Sequence, residues 1–140
     1  MSYKPKNFTA SATLSASDSG TICTVNAAAG LTLTLPDATG SGVRYEVFIG
    51  TTVTSNNVII QVANASDTMA GLVMSAADGG DTLNGWETAS TSDTITLNGT
   101  TKGGVKGDRY VLVDCADNLW SVNGWSSSTG TEATPFSAAV

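Results

Sequence analysis

Short runs that alternate apolar and polar residues, cut apart by clusters of Gly, Asn, Asp and Ser, recur along this chain and constrain its fold more than any other property. In Leu31 to Pro36 the leucines at 31, 33 and 35 fall on one side and Thr32 and Thr34 on the other, the period of two that a strand requires. Pro36 then stops the ladder, having no N–H to donate. Thr21 to Val25, Arg44 to Gly50, Val58 to Ala63, Asp93 to Gly99, Arg109 to Cys115 and Leu119 to Trp125 read the same way, whereas Met69 to Met74 fits a strand or a buried loop. Charged residues make up 13% of the chain, about half the usual share of roughly 25%. Polarity therefore comes from Thr, Ser, Asn and Gly, and β-branched residues abound where long helix formers are scarce. The expected fold is all-β, a compact antiparallel β-sandwich or barrel with an extended N-terminal arm and almost no helix. No repeat of fixed period is visible, which argues against a solenoid, a propeller or a β-helical shaft.

The length, 140 residues, suits one domain. Residues 1–20, with Lys4, Pro5 and Lys6 followed by a Ser/Ala/Thr stretch, read as an extended arm with little to anchor a core. Residues 21–140 read as a single β domain ending in an apolar tail from Pro135 and Phe136 to Val140. Ser55-Asn56-Asn57 is good turn chemistry, so Arg44 to Gly50 and Val58 to Ala63 are expected to form a hairpin. A second hairpin is expected across Ala116-Asp117-Asn118, and Asp78-Gly79-Gly80-Asp81 reads as a turn. Arg109 to Cys115, nearly all apolar, reads as a central strand buried on both faces.

The chain has no histidine, which removes the commonest general base and metal ligand and every Ser-His or Cys-His nucleophile pair. No Ser-x-x-Lys spacing occurs, and the lysines lie in the arm or beside Gly-rich turns. Glu46, Glu87, Asp93 and Asp108 are the carboxylates a glycosidase pair would need, Glu87 with Trp86 as a sugar subsite; the reading favoured for Glu87 is a loop acid beside a partly buried aromatic. Asp78 with Asp81, and Asp114 with Asp117 and Asn118, offer hard oxygen ligands for calcium, but neither matches an EF-hand loop, and they read as turn residues. Thr39-Gly40-Ser41-Gly42 lacks the third glycine of a dinucleotide loop and leads into a strand, so it reads as a linker turn; Asn98 to Gly104 fails the glycine order of a P-loop. No enzyme, cofactor or metal is expected.

A net charge of −6 opposes binding to phosphate backbones. The N-terminus lacks a secretory apolar core and no run is long enough to span a membrane, so neither nucleic acid nor membrane is an expected partner and synthesis in a cytoplasm is expected. Cys23 and Cys115 sit in apolar strand-like runs and read as reduced, buried small hydrophobes. Trp120 is expected in the core. Trp86 and Trp125, flanked by glycines, are the candidates for an interface or a ligand-stacking surface, together with Lys4, Pro5, Lys6, Pro135 and Phe136.

From about Leu31 onward the segments TLPDATGSGVRYEVFIGTTVTSNNVIIQVANASDTMAG, DTITLNGTTKGGVKGD and TGTEATPFSAAV resemble small virion proteins of tailed bacteriophages. The resemblance is to capsid decoration, or cement, proteins, and it implies a homotrimer that binds the outer surface of the mature head and ties neighbouring major capsid proteins together. In that reading the arm, through Lys4 and Lys6, adds a strand to a capsid subunit or pairs with its acids. The alternative it leaves open is a phage tail, fibre or receptor-binding module that binds carbohydrate through Trp86 and Trp125.

Overall fold

A computed structural model describes residues 3–140. Twelve strands and one 3-10 turn (Ala16–Asp18) form two sheets. Strands β1 (Pro5–Phe8), β3 (Ile22–Val25), β5 (Arg44–Ile49), β10 (Arg109–Ala116), β11 (Leu119–Ser128), β7 (Thr68–Ala77) and β8 (Thr82–Glu87) lie in that order in a seven-stranded sheet. Strands β12 (Phe136–Ser137), β9 (Thr94–Leu97), β6 (Val58–Gln61), β4 (Leu31–Thr34) and β2 (Ala12–Thr13) form a five-stranded one. The all-β sandwich expected from the alternating runs is the observed fold, and no described helix is long and apolar enough to cross a membrane.

The first six strands alternate between the two sheets. Because every strand is followed by one in the other sheet, strands of the same sheet meet in parallel: β1 with β3 and β3 with β5, β2 with β4 and β4 with β6. The result is three turns of a flattened parallel coil. Pro5 aligns with Ile22 and Ile22 with Glu46, so successive turns differ in length and leave no fixed period in the sequence. The remaining strands complete the sheets with antiparallel pairs β5–β10, β10–β11, β7–β8, β6–β9 and β9–β12 and the parallel pair β7–β11. The sheets are therefore mixed rather than antiparallel.

Alternation along each strand fills the space between the sheets. Tyr45, Val47 and Ile49 from β5, Tyr110 and Leu112 from β10, and Trp120 and Val122 from β11 meet Leu33, Val58, Ile60, Ile95 and Leu97 from the other sheet, all of them fully buried. The Trp120 ring lies 5.9 Å from that of Tyr45, in the core where its alternation with Leu119 put it.

Four expectations are corrected. Residues 44–50 and 58–63 do not form a hairpin: β5 and β6 belong to different sheets, and the Ser55 to Asn57 turn lies in a crossing whose Thr54 and Ser55 N–H groups donate to the Ala28 carbonyl. Strand β10 is central but buried on one face only, with Arg109 exposed and Val111 and Val113 half-buried on the other. Cys23 is a free, buried thiol, and burial pushes its pKa up to about 11, but Cys115 is exposed, on the outer face that it shares by alternation with Arg109, Val111 and Val113. Residues 1–20 do not form a free arm along the part described: β1 and β2 pair in the two sheets, and Phe8 and Leu14 are buried in the common core.

Leu14 is 1% exposed, so truncation leaves a cavity rather than a shortened tail. Leu14→Ala should cost about 2–5 kcal/mol by urea denaturation; a change below about 0.5 kcal/mol, as for a surface site, would mean that the N-terminal segment is not part of the folding unit.

Candidate functional site

Crossings between sheets leave backbone N–H groups without ladder partners, and buried aspartates accept from them. Asp114 on β10 takes the N–H groups of Thr39, Gly40 and Ser41 at 3.1, 2.8 and 2.9 Å and the Ser41 hydroxyl at 2.6 Å. Thr39 to Gly42 is thus an anion nest closed around the chain's own carboxylate. Burial draws the Asp114 pKa upward, but the donors of Ser41, Thr39 and Gly40 outweigh it and hold the group below its ordinary value. Asp108 accepts from Gly104 and Val105 through one oxygen and from Ser127 through the other, all within 3.0 Å. Here burial dominates and lifts the pKa to about 6 against the pull of those donors. Asp67 accepts from the Ala38 N–H at 2.9 Å, and Asp93 accepts from the Thr94 hydroxyl and the Ala139 N–H at 2.7 and 2.8 Å.

The candidate carboxylates are not brought together as a pair on the exposed sheet. Glu46, Val111, Asn123, Leu72 and Glu87 are successive cross-strand neighbours on one row. Four strand spacings of about 4.8 Å put Glu46 and Glu87 roughly 19 Å apart, beyond the ~5–9.5 Å that glycoside hydrolysis uses. Glu46 instead ion-pairs with Arg109 and with Arg44, at 2.5 and 3.5 Å. Asp78 accepts from the Gly130 N–H at 3.1 Å, and no group of three metal-ligating side chains occurs among the described residues.

The other candidates scatter. Lys4 is exposed; Lys6 pairs with Asp18 at 2.8 Å and lies over the Phe8 ring. That contact, opposed by burial, leaves the Asp18 pKa lowered. Pro5 sits at an outward-pointing position of the edge strand β1, since the carbonyls of Lys4 and Phe8 are the ones that accept from the β3 side. Pro135 and Phe136 are buried in this chain, Phe136 opposite Ile95. Trp86 is half-buried and packs on the core, and alternation along β8 turns the Glu87 side chain to the opposite, exposed face.

Trp125 stands out, 67% exposed near the middle of the seven-stranded sheet. Its row runs Phe48, Arg109, Trp125, Met74, Gly85. The Arg109 guanidinium lies 5.2 Å from the Phe48 ring centre and is held by Glu46. Asn123 and Ser127 flank Trp125 along its strand, and beyond Met74 a depression of about 370 Å³ is lined by Leu72, Met74, Gly85, Trp86 and Glu87. Reading β11 by alternation marks Asn123, Trp125 and Ser127 as one face, but Met74, Gly85 and Arg109 join them only through the observed register.

Beside this face runs the free edge of β8. Thr88 N–H donates to the Gly71 carbonyl, so, by the alternation of an antiparallel pair, the N–H and C=O groups of Leu83, Gly85 and Glu87 point to the open side. The β1 edge carries Pro5 and two lysines, the usual protection against strand addition, whereas Thr82 to Glu87 carries neither Pro nor Lys.

Two consequences are measurable. An amide at 114 offers one oxygen where four donors now converge on two, so Asp114→Asn should lose about 2–3 kcal/mol of stability in urea melts; wild-type stability would show that the nest does not hold the crossing. The pH dependence has two opposed components. Asp18 and Asp114 contribute stability that is present above the unfolded carboxylate pKa and lost as pH falls through their lowered values. Asp108, raised from 3.8 to about 6, contributes stability that is full below pH 3.8 and lost as pH rises through 6. The Asp108 component should disappear in Asp108→Asn, as read by the slope of stability between pH 4.5 and 6.5 against wild type; an unchanged slope would contradict it. Comparison with protein-family models, with curated proteins and with solved structures finds no match to this chain.

Proposed function

We propose that this chain is a noncatalytic capsid decoration protein of a tailed bacteriophage, a homotrimer that binds the outer surface of the mature head and stabilises contacts between major capsid proteins. The observation that carries the reading is the use of the buried carboxylates: Asp67, Asp93, Asp108 and Asp114 accept hydrogen bonds from the chain's own loops and termini of strands. Groups that could do acid–base work are committed to rigidity, which suits a clamp. The segment resemblance from Leu31 onward supports the particular kind of clamp.

The surface that fits such a contact is the open β8 edge, in place of the N-terminal segment. Lys6 is engaged by Asp18, and Pro5 blunts the β1 edge. Beta8 offers outward N–H and C=O groups beside the exposed side chains of Leu83 and Leu72, and a strand from a capsid subunit would extend the sheet there. Repetition over three subunits turns several weak contacts into tight binding, and preference for the expanded shell would stabilise that state by mass action.

Leu83→Pro removes one outward N–H without breaking a β7–β8 hydrogen bond. The variant should keep its melting temperature within a few degrees and its oligomeric state, while occupancy on expanded shells of the major capsid protein falls at least tenfold. Unchanged occupancy would refute the edge contact. Copies per virion on the order of hundreds fit a shell protein; tens or fewer would favour a tail or fibre location instead.

A further inference from the structure

We propose that the face around Trp125 is a carbohydrate-binding platform, taking one pyranose ring of a neutral glycan on the indole and the next sugar over the depression between Met74 and Gly85. A pyranose has an apolar C–H face and a rim of hydroxyls, so it needs an exposed aromatic surface one ring wide with polar planar groups within reach on its sides. Trp125 provides the surface at 67% exposure. Asn123 on the same strand and Glu87 across the depression provide carbonyl, amide and carboxylate groups whose side chains make no hydrogen bond among the described residues. They are free to receive hydroxyls.

The dip itself depends on a missing side chain. A Cβ on Gly85 would stand 3.3 Å from the Met74 sulfur and fill the floor of the depression. Gly85 has an ordinary strand backbone, so the glycine is not there for a turn. Its effect is to leave a shelf one strand wide next to Met74, which itself neighbours Trp125.

Charge selects a neutral ligand. Arg109, the cation beside Trp125, shares the Glu46 carboxylate with Arg44, and Glu87, without an ion pair among the described residues, balances the remaining positive charge, so the face carries no net charge. The apolar surface at Trp125 is bordered along the strand by Asn123 and Ser127 and across it by Arg109. A protein hot spot is instead a broad dry centre ringed by contacts that exclude water. Trp125 lies two strands in from the β8 edge, so its side chain takes no part in the strand contact proposed for the shell, whereas the second sugar position reaches Leu72 on β7 and Gly85 and Glu87 on β8, which border that contact.

The test is a neutral-glycan array followed by titration of soluble (1→4)-linked glucose and N-acetylglucosamine hexamers, read by tryptophan fluorescence and by calorimetry. Wild-type chain should bind at least one neutral glycan class. Trp125→Ala should weaken that binding roughly tenfold or more, Gly85→Val should do the same by filling the shelf, and Trp125→Phe should retain part of it. All three variants should melt within a few degrees of wild type, because Trp125 is exposed and the Met74 side chain end can yield. No binding to any neutral glycan by the wild type, or binding unchanged in both Trp125→Ala and Gly85→Val, would overturn the proposal. Shell occupancy of Trp125→Ala should stay at the wild-type level, so failure here is separable from failure of the decoration reading.

Discussion

Backbone N–H groups that leave a sheet and remain inside the protein must find acceptors, and in this fold buried aspartates provide them. A chain that crosses from one sheet to the other after each of its first six strands makes more such loops than a meander of hairpins does. Asp67 and Asp114 together hold residues 38–41 at the crossing that delivers β5 to its sheet. Asp108 ties residues 104 and 105 to the start of β10 and to Ser127 on β11. Each carboxylate is anchored on or next to a regular strand and reaches into irregular chain, so the strands set the loops. At the entry to β5 the Asp114 nest adds acceptors for three consecutive N–H groups to the ladder bonds that β5 makes with β3 and β10.

The same weave makes the two outer faces unlike. On the five-stranded sheet Thr13, Thr34, Gln61 and Thr94 form one row and Thr32, Ile59 and Thr96 another, nearly all neutral and small. On the seven-stranded sheet the outward rows carry both arginines of β5 and β10, Glu46, Glu87 and Trp125. Large apolar exposure is concentrated there, with Leu72, Leu83 and Trp125 all on β7, β8 and β11. Interaction chemistry is thus polarised to one side of the molecule and, on that side, toward one edge.

The strands were legible because alternation is a local property. Leu31 to Pro36 and Asp93 to Gly99 show their inward and outward residues without any knowledge of partners. Partner choice is not local. Ser55-Asn56-Asn57 has the residues of a tight turn, and Asn56 and Asn57 do adopt positive φ, yet the segment serves a crossing because Val53 is drawn into the core and donates its N–H to Gly104. Unequal coil turns hid the parallel stacking for the same reason. The N-terminal segment reads as an arm because its anchors, Phe8 and Leu14, are single residues in a polar stretch, yet two buried side chains suffice when the backbone also joins both sheets. The aspartates looked like turn residues from their neighbours; that they were buried acceptors depended on strands far away in the chain.

Trp125 shows where position ends and choice begins. Strand β11 cannot slip by one residue, because Gly124 faces inward directly opposite Tyr110, and a Cβ there would stand 2.7 Å from the tyrosine ring and 3.2 Å from Val73. Position 125 must therefore point outward, where no core contact rewards a large aromatic residue. The neighbouring outward positions on β11 hold Ser121, Asn123 and Ser127, which satisfy the sheet equally well. Register thus explains why residue 125 is exposed but not why it is tryptophan. An indole left in water at the centre of a sheet adds nothing to folding that threonine would not, so its presence beside Asn123, Met74 and the shelf at Gly85 is a property of the surface and of what meets it.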